Sequence, residues 1–250
     1  MLDDPLHKAL KSLSPTARLV FLTGAGISRE SGLDTFRDAG GIWSQVRLED
    51  VATPEAFARD PARVHGFYNA RRATLQQPHV APNAAHKSLA RLEQGWGGDV
   101  LLITQNVDNL HERGGYSDSL LHMHGQLDRV FCTACDHVRH WDGDLATDMA
   151  CPVCAATGTL RPDIVWFGEM PYHMDHIESA LSSCDLFCAI GTSGQVWPAA
   201  GFVSIAEQVG AMTIELNLET TEMSRHFKYQ ITGPASEMVP QFVDALLTPA

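Results

Sequence analysis

Five residues of unbroken apolar or β-branched character, Leu19-Val20-Phe21-Leu22-Thr23, run directly into Gly24-Ala25-Gly26. A short run without polar alternation, closed by glycine, reads as a strand buried on both faces, and such strands belong to parallel sheets covered by helices. The two glycines place a tight turn at the strand's carboxyl end. There the missing side chains would let backbone approach a pyrophosphate, and free amides after a strand are natural anion ligands. The third glycine of the usual dinucleotide fingerprint would stand at position 29, which is Arg29, and the next glycine is Gly32. This departure argues against an ordinary dehydrogenase loop, which would also carry a ribose-binding acid about 20 residues on.

With 250 residues and 44% hydrophobic content, the chain can bury a large core as one domain, or as one domain carrying an insertion. Its formal charge of −12 disfavours sequence-independent binding to nucleic acid or anionic membrane and suits a basic protein or peptide partner. The start, Met1 to His7, has neither a basic segment nor an apolar one of the kind that makes a leader, and no run approaches the roughly 18 apolar residues of a membrane span. A cytoplasmic location is therefore expected.

Residues 5–13 read as a short amphipathic helix ended by Ser14-Pro15. The segment 38–44, with two glycines and Trp43, has the composition either of a mobile flap over a ligand or of a surface loop with one anchoring aromatic. Thr53-Pro54 and Asp60-Pro61 each open a helix, the second running to about Leu75. On it Tyr68 and Arg71 stand three apart and share a face, where a phenol and a guanidinium could bind a carboxylate or simply lie half-buried. Asn83 caps a helix to Gln94, and Val100 to Thr104 is a second buried strand. Gln105, Asn106 and Asp108 follow at that strand's carboxyl end, where open α/β sheets bind ligands; capping of the next helical turn is the plainer role for the last two.

Leu120 to Gly125 is expected to be a third strand with His122 and His124 on one side. His122 reads as a core histidine. His124, at the strand end before a glycine, suits a general base because its unperturbed pKa lies near 7.

Cys132-x2-Cys135 and Cys151-x2-Cys154 stand fifteen residues apart, the spacing of a zinc ribbon with four thiolates in tetrahedral array. With all four positions filled by protein the metal would be structural, and the folding of this polar insertion would depend on it. Cys184 and Cys188 read as small core residues. Farther on, the apolar strip ending in Val165-Trp166-Phe167-Gly168-Glu169 can pair edge to edge with an extended peptide. Strands over 186–190 and 212–217 end in Gly191-Thr192-Ser193 and in Asn217-Leu218-Glu219, the latter carrying the acid that the first loop lacks. Helices are expected over 174–183, 198–209 and from about Ser236 to Leu247.

The order of these pieces resembles the sirtuins, NAD-dependent protein lysine deacylases: Gly24-Ala25-Gly26-Ile27-Ser28, Ser31 to Arg37, Gln105-Asn106-Val107-Asp108, His124-Gly125, four cysteines, Val165 to Glu169, Gly191 to Ser193 and Asn217 to Glu219. The resemblance spans about residues 10–247. Tyr68-x-x-Arg71, with the small Ala52, is similar to the class III branch, which removes acidic acyl groups as well as acetyl. The resemblance implies an α/β fold: a Rossmann-like parallel sheet with helices on both faces. The chain 1–250 would be a single catalytic domain with a helical insertion over 38–78 and a zinc module over 129–158.

By the same resemblance, Gly24 to Ser28, Phe36, Arg37 and Trp43 enclose NAD, Asn106 and Asp108 hold its nicotinamide end, and Gln105 holds the ribose. Gly191, Thr192, Ser193, Asn217, Leu218, Glu219 and Ala235 surround the adenosine. His124 acts as base, and Val165, Phe167, Gly168 and Glu169 take the peptide. The substrates implied are acylated lysines of proteins, with no nucleic acid or membrane partner. Gln126 follows His-Gly where glutamate is common, and Asp34-Thr35 replaces a frequent Pro-Asp. Two other classes use the same features: a mono-ADP-ribosyltransferase, and an NAD-sensing zinc protein without catalysis, which could dispense with His124.

Overall fold

The structure, a computed structural model, describes residues 4–33 and 46–248. Helix α1 (Asp4–Lys11) turns Leu6 and Leu10, one turn apart, into the core and leads to β1 (Leu19–Thr23), whose five residues are all buried. Two helices follow, α2 (Pro54–Arg59) and α3 (Pro61–Leu75). Each starts as the sequence requires: Thr53 and Asp60 accept the amides of Ala56 and Arg63, and proline occupies the first turn. Asn83 likewise caps α4 (Ala84–Gly95), which precedes β2 (Val100–Thr104) and the short α5 (Leu110–Arg113). Then come β3 (Leu120–His122), β4 (Gly125–Cys132), β5 (Val138–His140) and β6 (Leu160–Ile164). The chain continues through α6 (Met174–Leu181), β7 (Leu186–Ile190), α7 (Phe202–Gln208), β8 (Met212–Asn217), β9 (Tyr229–Thr232) and α8 (Ala235–Leu247).

Six strands form one parallel sheet in the order β3-β2-β1-β7-β8-β9. Alternate residues of β1 serve opposite faces, which is why the run is apolar without interruption. Leu19 and Phe21 pack with Leu6, Leu89, Leu92, Phe242 and Leu246 of α1, α4 and α8. Val20 and Leu22 pack on the other side with Ile177, Leu181, Phe202 and Val203 of α6 and α7. Cys184 and Cys188 are buried in these cores, as expected. From β1 the chain extends the sheet to one side through β2 and β3, then returns on the other side through β7. This reversal opens a crevice at the carboxyl ends of β1 and β7, where ligands of open α/β sheets bind.

Two expectations are corrected. The third strand stops at His122, and Met123-His124 form a turn. Gly125, at φ +80°, then starts β4 in a separate antiparallel sheet ordered β5-β4-β6. A Cβ at position 125 would lie 2.0 Å from the Asp163 carbonyl oxygen, so glycine is required where the chain crosses between sheets. The helix expected over 198–209 opens with a 3₁₀ turn, Ala199–Gly201, before becoming α7. The short edge strand β9 was not expected. No helix of the described residues is long and apolar enough to cross a membrane.

Candidate active site

Loops after four strands meet at the crevice and are tied to one another. The Gly24 and Gly26 amides donate to the Ile190 and Gly191 carbonyls, at 3.0 and 2.8 Å. A Cβ on Gly26 would stand 2.7 Å from the Gly191 Cα, and one on Gly24 2.9 Å from the Gly191 oxygen. These two glycines therefore serve the contact between the β1 and β7 loops, and their amides are engaged there. Ala25 and Ile27 continue the turn as a 3₁₀ segment, with Ile27 in the core. The Gln105 amide side chain donates to the Thr192 hydroxyl at 2.9 Å, and Asn217 donates to the Thr192 carbonyl at 2.8 Å. Ser193, Leu218 and Glu219 sit in the adjoining loops. Ala235, buried, starts α8, whose next residue Ser236 is held by both carboxylate oxygens of Glu30.

Behind this surface lies a buried polar network whose proton positions follow from its partners. Asn106 donates its amide hydrogens to the Gly24 carbonyl and the Ser28 hydroxyl, each at 3.2 Å. Ser28 in turn donates to the Asp108 carboxylate at 3.0 Å, and the other Asp108 oxygen accepts the Leu110 amide. Burial pushes the Asp108 carboxyl above its ordinary range, while these hydrogen bonds oppose the shift. His86 accepts the Asn83 amide on Nδ1, so the hydrogen on Nε2 faces Ser28, at 3.4 Å. Desolvation holds His86 neutral, its pKa pushed down to about 4. Thr23 donates to Thr104 at 2.9 Å, so the Thr23 oxygen accepts from His111 Nε2 at 3.0 Å. Burial also carries His111 well below the usual histidine value.

His124 stands at the edge of this network. Its Nδ1 lies 3.1 Å from the Gln105 carbonyl, which can only accept, so Nδ1 carries the hydrogen and Nε2 keeps its lone pair. Desolvation lowers the pKa, and the Gln105 bond opposes the shift without cancelling it. The result is a neutral imidazole whose free nitrogen is basic. The His124 carbonyl accepts the Val165 amide at 3.0 Å, joining the base to the segment Val165 to Glu169. His122 holds the next carbonyl of the same loop, that of Asn106, at 3.3 Å, with Glu112 at 2.8 Å on its other nitrogen. It is buried, in keeping with a core histidine.

A second wall comes from α3. Tyr68 is buried beside Ala52 and Trp166, and Arg71, half-buried, lies one turn on with its guanidinium 5.8 Å from the Phe67 ring. The Phe167 amide donates to the Ala52 carbonyl at 3.0 Å, while the Phe167 side chain and Gly168 are exposed. Glu169 is turned back onto Arg161, which it engages with both oxygens at 2.7 and 2.9 Å, and it also accepts the Trp166 amide. Phe36, Arg37 and Trp43 lie outside the described residues.

The sulfur atoms of Cys132, Cys135, Cys151 and Cys154 all lie within 4.8 Å of one another, and the pairs Cys132–Cys154 and Cys135–Cys151 are 3.8 Å apart. Four sulfurs about 2.3 Å from a tetrahedral zinc would stand about 3.8 Å apart, so the cluster fits the ion.

A family model described as the Sir2 family matches residues 24–198. The chain belongs to the Sir2 family. A Bdellovibrio bacteriovorus protein named NAD-dependent protein deacylase is 58% identical over 229 residues, covering 92% of this chain and 96% of that protein. A Salmonella typhimurium protein of the same name is 52% identical over 240 residues, covering 96% and 88%. Among solved structures, a complex of a Sir2 homologue with NAD superposes with a TM-score of 0.86 at 36% identity, covering 98% of this chain and 94% of that one. The Rossmann-like sheet and the four-cysteine cluster are thus features of a Sir2 chain. The sequence does not mark the side chains of Trp166, Arg161, His86 and His111 as parts of the site. Trp166, His86 and His111 meet the hydroxyls of Tyr68, Ser28 and Thr23, all more than fifty residues away, and nothing in local spacing marks such partners.

Proposed function

We propose that this NAD-dependent protein deacylase removes succinyl or malonyl groups as well as acetyl from protein lysines, releasing nicotinamide and O-acyl-ADP-ribose. One observation carries the acyl choice: Tyr68 is buried beside Ala52 and Trp166, and Arg71, one turn on along α3, is near enough for its charge to act on the phenol. A carboxylate there would gain a charge-assisted bond from arginine and a second from the phenol.

The donor set at the crevice fits a dinucleotide substrate. Gln105, Thr192 and Asn217 offer amides and hydroxyls for ribose and adenosine, with Ser193, Leu218, Glu219 and Ala235 around them. Asn106, fixed by Gly24 and Ser28, and Asp108, fixed by Ser28 and Leu110, hold the nicotinamide end. NAD, when bound as substrate, would supply an electrophilic ribose carbon for the acyl oxygen, with nicotinamide as the leaving group. His124 Nε2 would take the proton of a ribose hydroxyl as that oxygen adds to the acyl carbon, a role typically worth about 10² to 10⁴ in rate; the lysine amine would then leave that carbon with a proton and one water would add in its place, giving free lysine and O-acyl-ADP-ribose. Val165 to Glu169 present backbone to the peptide, with Phe36, Arg37 and Trp43 completing the enclosure. The cysteines hold zinc away from the chemistry, so 129–158 is a structural module of a single catalytic domain beside the helical insertion 38–78, and the enzyme works in the cytoplasm.

The test is mass spectrometry of one peptide in succinyl-lysine and acetyl-lysine forms, with and without NAD. Wild type should remove both groups only with NAD, His124→Ala neither, and Arg71→Met acetyl but little succinyl. ADP-ribose added to a protein acceptor, with no acyl loss, would instead support a transferase.

A further inference from the structure

Trp166 is 2% exposed and donates its indole N–H to the Tyr68 hydroxyl oxygen at 3.0 Å. Three contacts hold the indole in place. The Arg161 guanidinium stacks on its face, 3.5 Å from the ring centre, and Phe57 packs against it with centroids 5.4 Å apart. The Trp166 backbone amide donates to Glu169, which Arg161 clamps with two bonds. Indole nitrogen is a donor only, whereas a phenol is both donor and acceptor. Once the Tyr68 oxygen accepts from Trp166, its own hydrogen must point elsewhere. The phenol is 3% exposed, and burial raises its pKa to about 12, so that hydrogen is retained throughout the working range.

We infer that Trp166 is a positioning residue for acyl specificity: it fixes the polarity of Tyr68, so that the phenol presents a hydrogen, and not a lone pair, to the carboxylate of an acidic acyl group. A phenol left to rotate would present its oxygen to the carboxylate part of the time, and that orientation is repulsive. This rests on the acidic-acyl reading above, and extends it from the two residues that meet the carboxylate to a third whose side chain acts on the carboxylate only through Tyr68. The same chain of contacts links the peptide segment to the acyl pocket, since Arg161, Glu169 and Trp166 hold that segment's backbone.

The experiment is a double-mutant cycle with Trp166→Phe and Tyr68→Phe, comparing kcat/KM for succinyl and acetyl forms of one peptide. Replacement by phenylalanine keeps an aromatic ring and removes the N–H. Loss of one hydrogen bond that orders a charged partner should lower the succinyl-to-acetyl ratio by roughly three- to tenfold in Trp166→Phe. In the Tyr68→Phe background the same substitution should leave the ratio within about twofold, because there is no hydroxyl to orient. A ratio unchanged by Trp166→Phe, or lowered equally in both backgrounds, overturns the inference and leaves Trp166 as packing. Wild type that removes acetyl but no succinyl overturns the acidic-acyl reading itself, and this inference with it.

Should Trp166→Phe fail to fold, the wild-type chain labelled with ¹⁵N-tryptophan gives a second readout. The indole resonance perturbed by Tyr68→Phe identifies Trp166. It should move on adding succinyl-lysine peptide and much less on adding acetyl-lysine peptide; equal movement with both overturns the inference.

Discussion

The proposed mechanism needs the imidazole of His124 as the free base, and its surroundings favour that form. Desolvation outweighs the Gln105 hydrogen bond, so the pKa falls below 6.5, and more than half of the molecules keep Nε2 unprotonated at that pH. The acid limb of kcat/KM should therefore have unit slope and an apparent pKa below 6.5, which a rate profile from about pH 5 to 8 measures; a limb centred above 6.5 would mean that another group controls it. The placement of His124 beside the loop after β2 was legible because it stands just past a buried strand and before a glycine. The purpose of Gly24 and Gly26 was not, since the backbone that crowds them belongs to Gly191, far along the chain. Trp166 was hidden for a similar reason: as one aromatic in an apolar strip it carries no mark of the phenol it meets.

At the scale of elements, one face of α3 is a polar seam against the zinc module. His65, Asn69, Arg72 and Gln76 bond the backbone at Leu160, Leu145, Gly143 and Leu127, and Asp142. Asn69 bonds both the carbonyl and the amide of Leu145, each at 2.9 Å, while Arg72, 2% exposed, reaches Leu127 at 2.8 Å. Tyr68 and Arg71 stand on the same helix, so the position of both is braced by the segment that the four cysteines anchor. Asn69→Ala would leave both Leu145 groups without their partner at a cost of about 1 to 3 kcal/mol. It should lower the melting temperature and speed zinc release to a chromogenic chelator; unchanged release would show that the seam does not support the metal site. Long apolar runs and caps made β1, β2, β8 and the first turns of α2, α3 and α4 readable in the sequence. The seam was not readable, because its acceptors are backbone carbonyls in a segment more than fifty residues away. The edge strand β9 escaped too, being only four residues long, Tyr-Gln-Ile-Thr, with a single residue buried.

For the whole molecule, charge acts at two ranges that salt can separate. Eighteen basic and thirty acidic side chains give −12, a field that draws positively charged segments of a protein substrate and opposes acidic ones. The carboxylate of a succinyl group would run against that field, and on the proposed reading Arg71, partly buried where screening is weak, offsets it. Flanking charges meet only the outer surface. At an ionic strength of about 0.01 M the field extends about 30 Å, and at 1 M about 3 Å. Peptides with lysine or arginine beside the acyl-lysine should thus show a KM several-fold below that of peptides with aspartate or glutamate at low salt, and the two should converge at high salt. The succinyl-to-acetyl ratio for a single peptide should change far less over the same range. Steady-state kinetics at the two salt concentrations measure both, and a flanking preference that survives 1 M salt would have to come from specific side-chain pockets along Val165 to Glu169 and not from the charge of the molecule.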